Sequence, residues 1–436
     1  MRIDQIEIRI RERVAKLDRG LMKINMERLR ATFEVSSSIG RTDRGGLHRL
    51  ALSREDKEMR DIFCGWLEDA GLKVRVDDIG NIYGRREGKN PEAGVVMTGS
   101  HLDTQPKGGR FDGILGVLAA LEAVRTLNDY GVETERPIEI VNFTCEESGR
   151  FAPPMQGSGV VTGHYDKMAV YNNTDRDGFR FEDCLTKIGY KGGIEHRLSN
   201  VKYYVELHIE QGPVLESAGV DIGVVLGVKG TAKFKVTVTG QSTHGAHPTQ
   251  GRRDPLVAAS EMVLAINRMA YRHEDFSTMV GVFEVRPSVT SISPRQVEFI
   301  FDIRHFDDDL RYRTIDALKE EMRKIASERN VEVLFEQIWD TKRTAFSPEV
   351  LQVIEEGAAA FGYSTKRMTS SAGHDAQFMN SVALTGMLFA PSIGGLSHCE
   401  EELTDWEDIE KAANVLLYTV RELADRRDES QDGKGG

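Results

Sequence analysis

The chain is predicted to be α/β: a discontinuous larger domain with a central mixed sheet flanked by helices, and a smaller ferredoxin-like domain inserted into it. Three observations carry this. AGVVMTGS, a glycine-rich loop, FDGILGVLAALEAVRTL and PIEIVNFT read in turn as strand, loop, helix and strand, which is a βαβ unit. From AKFKVTVTG onward the order becomes strand, helix, strand, strand, helix, strand, the β-α-β-β-α-β pattern of a ferredoxin-like unit. Helical periodicity then resumes in SPEVLQVIEEGAAAF and WEDIEKAANVLLYTVRELAD, so the larger domain closes after the interruption. Residues 1–214 and 331–436 are assigned to the larger domain and residues 215–330 to the insert. A length of 436 residues fits two cores better than one.

Taken in order, Ser53 is placed to cap REDKEMRDIFCGWLEDAG, where apolar residues recur at helical spacing and Gly71 marks the stop. KVRVDD and NIYGRR follow as strands. The continuous apolar runs AGVVMTGS and PIEIVNFT read as strands buried on both faces, so the GSHLD and TCEES segments after them lie on the carboxyl edge of a sheet. In the insert the strands are AKFKVTVTG, STMVGVFEV, QVEFIFDIR and VEVLFEQI, with helices DPLVAASEMVLAINRMAYR and DDLRYRTIDALKEEMRKIASE between them. Junctions near Gly212 and after Ile338 are read as hinges. The tail DRRDESQDGKGG is polar and is expected to be disordered.

A net charge of -12 and no basic block argue against nucleic acid as a partner. The opening MRIDQIEIRIRERVAKLDRG has no apolar core of signal-peptide or membrane-span length, so no membrane association and a cytoplasmic location are expected. Cys64, Cys145, Cys184 and Cys399 are dispersed, with no CxxC spacing, which fits reduced thiols and leaves any metal to histidine and carboxylate.

His101, Asp103, Asp112, Glu146, Glu147, His208 and His398 fall at strand ends or in adjoining loops, all in the larger domain. In a strand-like HLD, His101 and Asp103 point to one side, which places Asp103 to support His101. Adjacent Glu146 and Glu147 repel when both are ionised, and a cation beside them relieves this, leaving one to ligate and the other to handle protons. The donor set suits Zn²⁺ or Mn²⁺, and five ligands with one shared carboxylate is a count for two ions. The glycines of GSHLDTQPKGGRFDG are expected to let the backbone approach a metal-bound substrate; they fit neither GxxxxGK[ST] nor GxGxxG.

GSHLDTQPKGGRFDGILG, TCEESGRFAPPMQGSG, VELHIEQGPVLE, FDIRHFD, SSAGHDAQ and MLFAPSIGGLSHCEEE, in that order, resemble the hydantoinase/carbamoylase (amidase) branch of the M20 dinuclear metallohydrolases. That branch contains N-carbamoyl-L-amino acid hydrolases, β-ureidopropionases and allantoate amidohydrolases. The resemblance implies a catalytic domain with two divalent ions, Zn²⁺ or Mn²⁺ with Co²⁺ or Ni²⁺ as further options. It also implies a lid and dimerisation domain inserted into the catalytic one. His101 and Glu147 would each serve one ion together with His208 and His398, Asp112 would bridge, and Glu146 would be the general base. His244, in GQSTHGAHP, would stabilise the oxyanion in a partner subunit's site, so a homodimer is implied. Arg304 would grip the substrate carboxylate and Gln211 would touch the ureido or amide group. His247 and His374 are accounted for as loop or helix-start hydrogen-bonding residues.

The chain departs from the branch in HGAHPTQ, where HAGxTPM is common, and in Ser291, thirteen residues before Arg304, where Asn is usual. Serine offers one donor where an amide offers two, which weakens this contribution to carboxylate binding. The implied reaction is hydrolysis of an N-carbamoyl-L-amino acid to amino acid, ammonia and carbon dioxide. Alternatives are an allantoate-type ureido amidohydrolase, an N-acyl amino acid hydrolase or a dipeptidase, and, outside catalysis, a metal-dependent binding protein. Retention of Glu146 beside all five ligands argues against the last, because binding alone has no need of a base.

Overall fold

The computed structural model describes residues 21–273 and 275–427. The N-terminal stretch MRIDQIEIRIRERVAKLDRG and most of the polar tail lie outside the described residues, and so do the expectations placed on them. In chain order the main elements are α1 (Met26–Ser38), α2 (Arg54–Asp69), β1 (Lys73–Val76), β2 (Ile82–Arg86), β3 (Val95–His101), α3 (Ile114–Asp129), β4 (Ile138–Phe143), β5 (Val201–Ile209), β6 (Ile222–Val228) and β7 (Gly230–Thr239). They continue with α4 (Pro255–Ala270), β8 (Ser277–Arg286), β9 (Gln296–His305), α5 (Asp308–Glu328), β10 (Glu332–Thr341), β11 (Thr344–Ala345), α6 (Pro348–Phe361), β12 (Thr365–Ser370), β13 (Leu384–Ala390) and α7 (Trp406–Ala424). Among the described residues no helix is long and apolar enough to cross a membrane.

The chain divides into two units. Of the described residues, one is formed by 21–226, Phe346–Met368 and 374–427, the other by Gly227–Ala345 with Thr369–Gly373. The large sheet has the order β1-β2-β4-β3-β5-β13-β6-β11, with β12 also pairing β6. Its centre is parallel, β3 pairing with both β4 and β5, and β13 with β5. β1, β2 and β6 join antiparallel, so the sheet is mixed, as the sequence predicts. Every residue of β3 and β4 is buried, which is why these strands read as continuous apolar runs rather than alternating ones. α2 opens at Ser53, whose side chain accepts the Asp56 N–H. α7 packs on α3 and α6, and Phe33 of α1 meets Trp406 edge-on at a ring separation of 5.5 Å.

The second unit has an antiparallel sheet of order β10-β7-β9-β8. Residues of β7 alternate between buried and half-buried, the period of a sheet with one face packed. Phe234, Val236, Phe299 and Phe301 pack there with Met262 of α4 and Leu318 of α5.

The unit boundaries lie beyond 215 and 330. β6 carries an apolar run that pairs with β13 through Val224 and Val225, so residues up to Leu226 belong to the larger unit. β10 pairs with β7 from Glu332 to Thr341, so these residues belong to the smaller one. Ile338 is therefore inside a strand, at a bulge between Gln337 and Trp339, and is not the junction read from the sequence.

Candidate metal centre

Each of the four parallel strands delivers a potential ligand at or beyond its carboxyl end, the edge where open α/β sheets bind ligands. His101 is the last residue of β3, Glu146 and Glu147 follow β4, His208 lies near the end of β5 and His398 follows β13. Asp112 comes from the loop between β3 and α3. Cys145, Gln211 and His398 hold positive φ angles of 57°, 56° and 57°. Left-handed backbone at a non-glycine residue costs about 1–3 kcal/mol and needs surrounding structure to hold it.

Asp112 is the centre of the cluster. Its Oδ1 lies 3.0 Å from His208 Nε2 and 3.8 Å from His101 Nε2. Its Oδ2 lies 3.2 Å from His398 Nε2, which is itself 3.4 Å from Glu147 Oε1. Two groups thus share one carboxylate: His101, Asp112 and His208 on one side, Asp112, Glu147 and His398 on the other, each with its donor atoms within 4.8 Å. Glu146 belongs to neither group; its Oε2 is 3.6 Å from His101 Nε2.

The donor chemistry fits metal ions. His101 Nδ1 donates to the Asp103 carbonyl and His208 Nδ1 to the Ile209 carbonyl, both at 2.9 Å. With Nδ1 so engaged, each ring turns its Nε2 toward Asp112, the arrangement that orients ligating histidines. Glu147 Oε1 is buried and has no hydrogen-bond partner, whereas its Oε2 accepts from Gln105 Nε2 at 2.6 Å. An unpartnered buried carboxylate oxygen is costly unless a cation faces it.

Electrostatics agree. Burial, then the charges of Glu147 and Asp375, hold the Glu146 carboxyl well above the usual range. Burial and the Asp112 charge push Glu147 up to about 8. Burial also pushes Asp112 up, but hydrogen bonds from His208 and His398 outweigh it and hold its carboxyl well below its usual value. The Asp112 bond lifts His208 to about 9 against burial, and lifts His398 to about 9. Burial lowers His101 to about 4.

Groups whose folded pKa is raised contribute stability that is fully present below the unfolded pKa and lost as pH rises through the folded one. Glu147, His208 and His398 all have this sign, and His101 acts only as pH falls toward 4. The melting temperature of metal-stripped protein is therefore expected to fall between pH 6.5 and 9, and excess divalent cation to reduce that fall. Calorimetry with and without chelator reads both.

Asp103 supports His101 through its backbone carbonyl, at 2.9 Å from Nδ1, rather than chiefly through its carboxylate. β3 stops at His101, so the period-two pattern does not reach Asp103, whose carboxylate is 4.0 Å from His101 Nδ1. It accepts instead the Glu146 and Glu147 N–H groups, at 3.3 and 3.2 Å. The glycines also serve the site itself. A Cβ on Gly113 would lie 2.2 Å from the His101 ring, and one on Gly109 1.9 Å from Glu402 Oε1.

Gln211 joins the cluster, its Nε2 donating to Asp112 Oδ2 at 3.0 Å. His374 is buried and does not cap the helix Asp375–Met379 through its side chain; its ring lies 4.6 Å from that of His208. His244, Ser291 and Arg304 lie in the second unit. There the Gly245 N–H donates to the Ser291 carbonyl at 2.8 Å, and His244 Nδ1 accepts the Ala246 N–H at 3.1 Å. Arg304 donates to Asp302 Oδ2 at 2.9 Å and to the Ser371 carbonyl at 2.6 Å.

Sequence reasoning passed over Gln105, Glu206, Ser397 and Glu402. Glu206 had a usable signal, an acid two residues before His208 on a buried strand and so on the same face. Its oxygens are taken by Ser100, Tyr204 and the Ala376 N–H, so it braces the layer beneath the ligands.

A two-sided set of histidines and carboxylates, buried except for His398, with a spare carboxyl beside it on the carboxyl edge of a mixed sheet, is a candidate metal centre. The chain belongs to Peptidase family M20/M25/M40, which it matches over residues 97–422. It is 37% identical over 406 residues to an N-carbamoyl-L-amino acid amidohydrolase of Geobacillus stearothermophilus, spanning 92% of this chain and 99% of that one. It is 34% identical to a ureidoglycolate hydrolase of Arabidopsis thaliana, over 86% of this chain and 82% of that one. An amidase of the hydantoinase/carbamoylase family from Burkholderia multivorans superposes with a TM-score of 0.90 at 41% identity, covering 93% of this chain and all of that one. The chain is accordingly a hydrolase acting on carbon–nitrogen bonds other than peptide bonds.

Proposed function

We propose that the protein hydrolyses the carbamoyl C–N bond of N-carbamoyl-L-amino acids, in which substrate and one water give amino acid, ammonia and carbon dioxide. The observation that carries the chemistry is the division of labour in the cluster. Five side chains converge on shared donor groups, while Glu146 stands beside them, buried and outside both groups. Similarity along nearly the whole chain to N-carbamoyl-L-amino acid amidohydrolase supports the substrate class.

His101 and His208 would hold one divalent ion and His398 and Glu147 a second, with Asp112 between them. Zn²⁺ or Mn²⁺, or else Co²⁺ or Ni²⁺, bound there supplies Lewis acidity and lowers the pKa of water. Glu146 takes the proton of the attacking water on a carboxylate oxygen and returns it to the leaving nitrogen. Gln211 orients the ureido group. On the resemblance, Arg304, fixed by Asp302 and the Ser371 carbonyl, would pair with the substrate carboxylate, assisted by Ser291, and His244 would donate to the developing oxyanion in a partner subunit's site. On the resemblance, the second unit is the lid and dimerisation domain of a cytoplasmic homodimer. A second reading, ureido hydrolysis of an allantoate-type substrate, is favoured by the likeness to ureidoglycolate hydrolase.

Ammonia release from N-carbamoyl-L-α-amino acids, N-carbamoyl-β-alanine, allantoate and ureidoglycolate tests the proposal. Fastest release from the first class is expected; release from none of them sinks it, and preference for allantoate or ureidoglycolate selects the second reading. Arg304→Ala is expected to raise KM at least about tenfold for the acid while leaving that for its carboxamide analogue little changed, since a charged hydrogen bond is worth about 1.5–3 kcal/mol.

A further inference from the structure

We propose that Glu402 is the positioning residue of Asp112, holding it so that one oxygen faces each group of ligands; this rests on the reading of Asp112 as the shared ligand. Glu402 is 4% exposed and lies 290 residues along the chain from Asp112. Its Oε1 accepts the backbone N–H groups of both Phe111 and Asp112, each at 3.1 Å. Its Oε2 lies 2.9 Å from Ser397 Oγ, which lies 3.1 Å from Asp112 Oδ2. The single hydroxyl proton of Ser397 is shared between these two carboxylates, and Ser397 Oγ in turn accepts from Gln211 Nε2 at 3.3 Å. Asp112 is thereby gripped at its backbone directly and at its carboxylate through Ser397.

Two features show that the contact is built. Oε1 of Glu402 occupies the space a Cβ on Gly109 would need, so the KGGR sequence is what admits it. Asp103 does the same for the facing loop, its carboxylate accepting the consecutive N–H groups of Glu146 and Glu147. The Asp112 loop and the Glu146–Glu147 loop are thus each pinned by one buried carboxylate taking two successive backbone donors. Loss of Glu402 leaves two buried N–H groups without this partner and frees Asp112 to turn, which removes an oxygen from one of the two groups.

The test is binding of Zn²⁺ alone to the chelator-stripped full chain, by competition with a chromophoric chelator, together with the melting temperature of the stripped protein. Partners that orient metal ligands are worth about 10–100-fold in affinity. Glu402→Ala is expected to weaken Zn²⁺ binding by about that factor, and Ser397→Ala by less. Glu402→Gln is expected to recover most of the affinity, because an amide oxygen still accepts both N–H groups. Wild-type affinity in Glu402→Ala, or a lowered melting temperature with unchanged affinity, overturns the proposal. If Glu402→Ala does not fold, wild-type affinity in Ser397→Ala overturns it. Asp112→Ala separates the two levels: retained affinity there means Asp112 is not a ligand, whereas loss there with no loss in the Glu402 variants removes only the role of Glu402.

Discussion

Glu146→Gln is expected to lower kcat by about 10²–10⁴-fold, the range for loss of a general base, while leaving bound metal and KM close to wild type. The substitution keeps size and shape and removes only the ability to take a proton. Glu146 is outside both ligand groups, so metal retention follows from the same geometry that makes it a base. Its carboxyl is held high by burial and by Glu147 and Asp375, a setting in which a nearby cation restores the ionised form that accepts a proton. Steady-state kinetics with elemental analysis of the same preparation reads both halves. Loss of metal together with activity would move Glu146 from base to ligand.

Asp112→Ala is expected to have the larger structural consequence. Among the described residues, Asp112 is the side chain shared by the His101–His208 and Glu147–His398 groups, and it also accepts from Gln211. Its removal takes a ligand from both groups and leaves His208 and His398 without the bond that lifts their pKa values. Both ions and all measurable turnover are expected to be lost, and the melting temperature to stop responding to added divalent cation. A variant that keeps one tightly bound ion would show that one group is complete without the shared carboxylate.

Much of this was legible from residue order. Apolar runs ending in GSHLD and TCEES located β3, β4 and the edge where the histidines and acids gather, because parallel strands are buried on both faces and open α/β sheets bind at their carboxyl ends. The five metal-competent residues were visible as the histidines and acids at those ends. What failed did so for local physical reasons. Side-chain alternation placed the Asp103 side chain to support His101, but the strand ends two residues before Asp103, and the support comes from its carbonyl instead. The domain boundary was misplaced because the short apolar β6 reads the same whether it pairs in one sheet or another. The loop glycines were read as letting the backbone approach substrate; Gly109 and Gly113 also hold space for Glu402 and His101, which residue order does not show. Glu402 itself sits in CEEE, where a run of acids reads as a solvated face; only the fold brings it to a loop 290 residues away.

The measurement that bears most directly on the whole account is turnover of an N-carbamoyl-L-amino acid by the chelator-stripped protein as Mn²⁺ or Zn²⁺ is added in known equivalents. No ammonia release before addition and a rise to a plateau at two ions per chain is the expected result. Full release from the stripped protein, with no response to added metal, would contradict it.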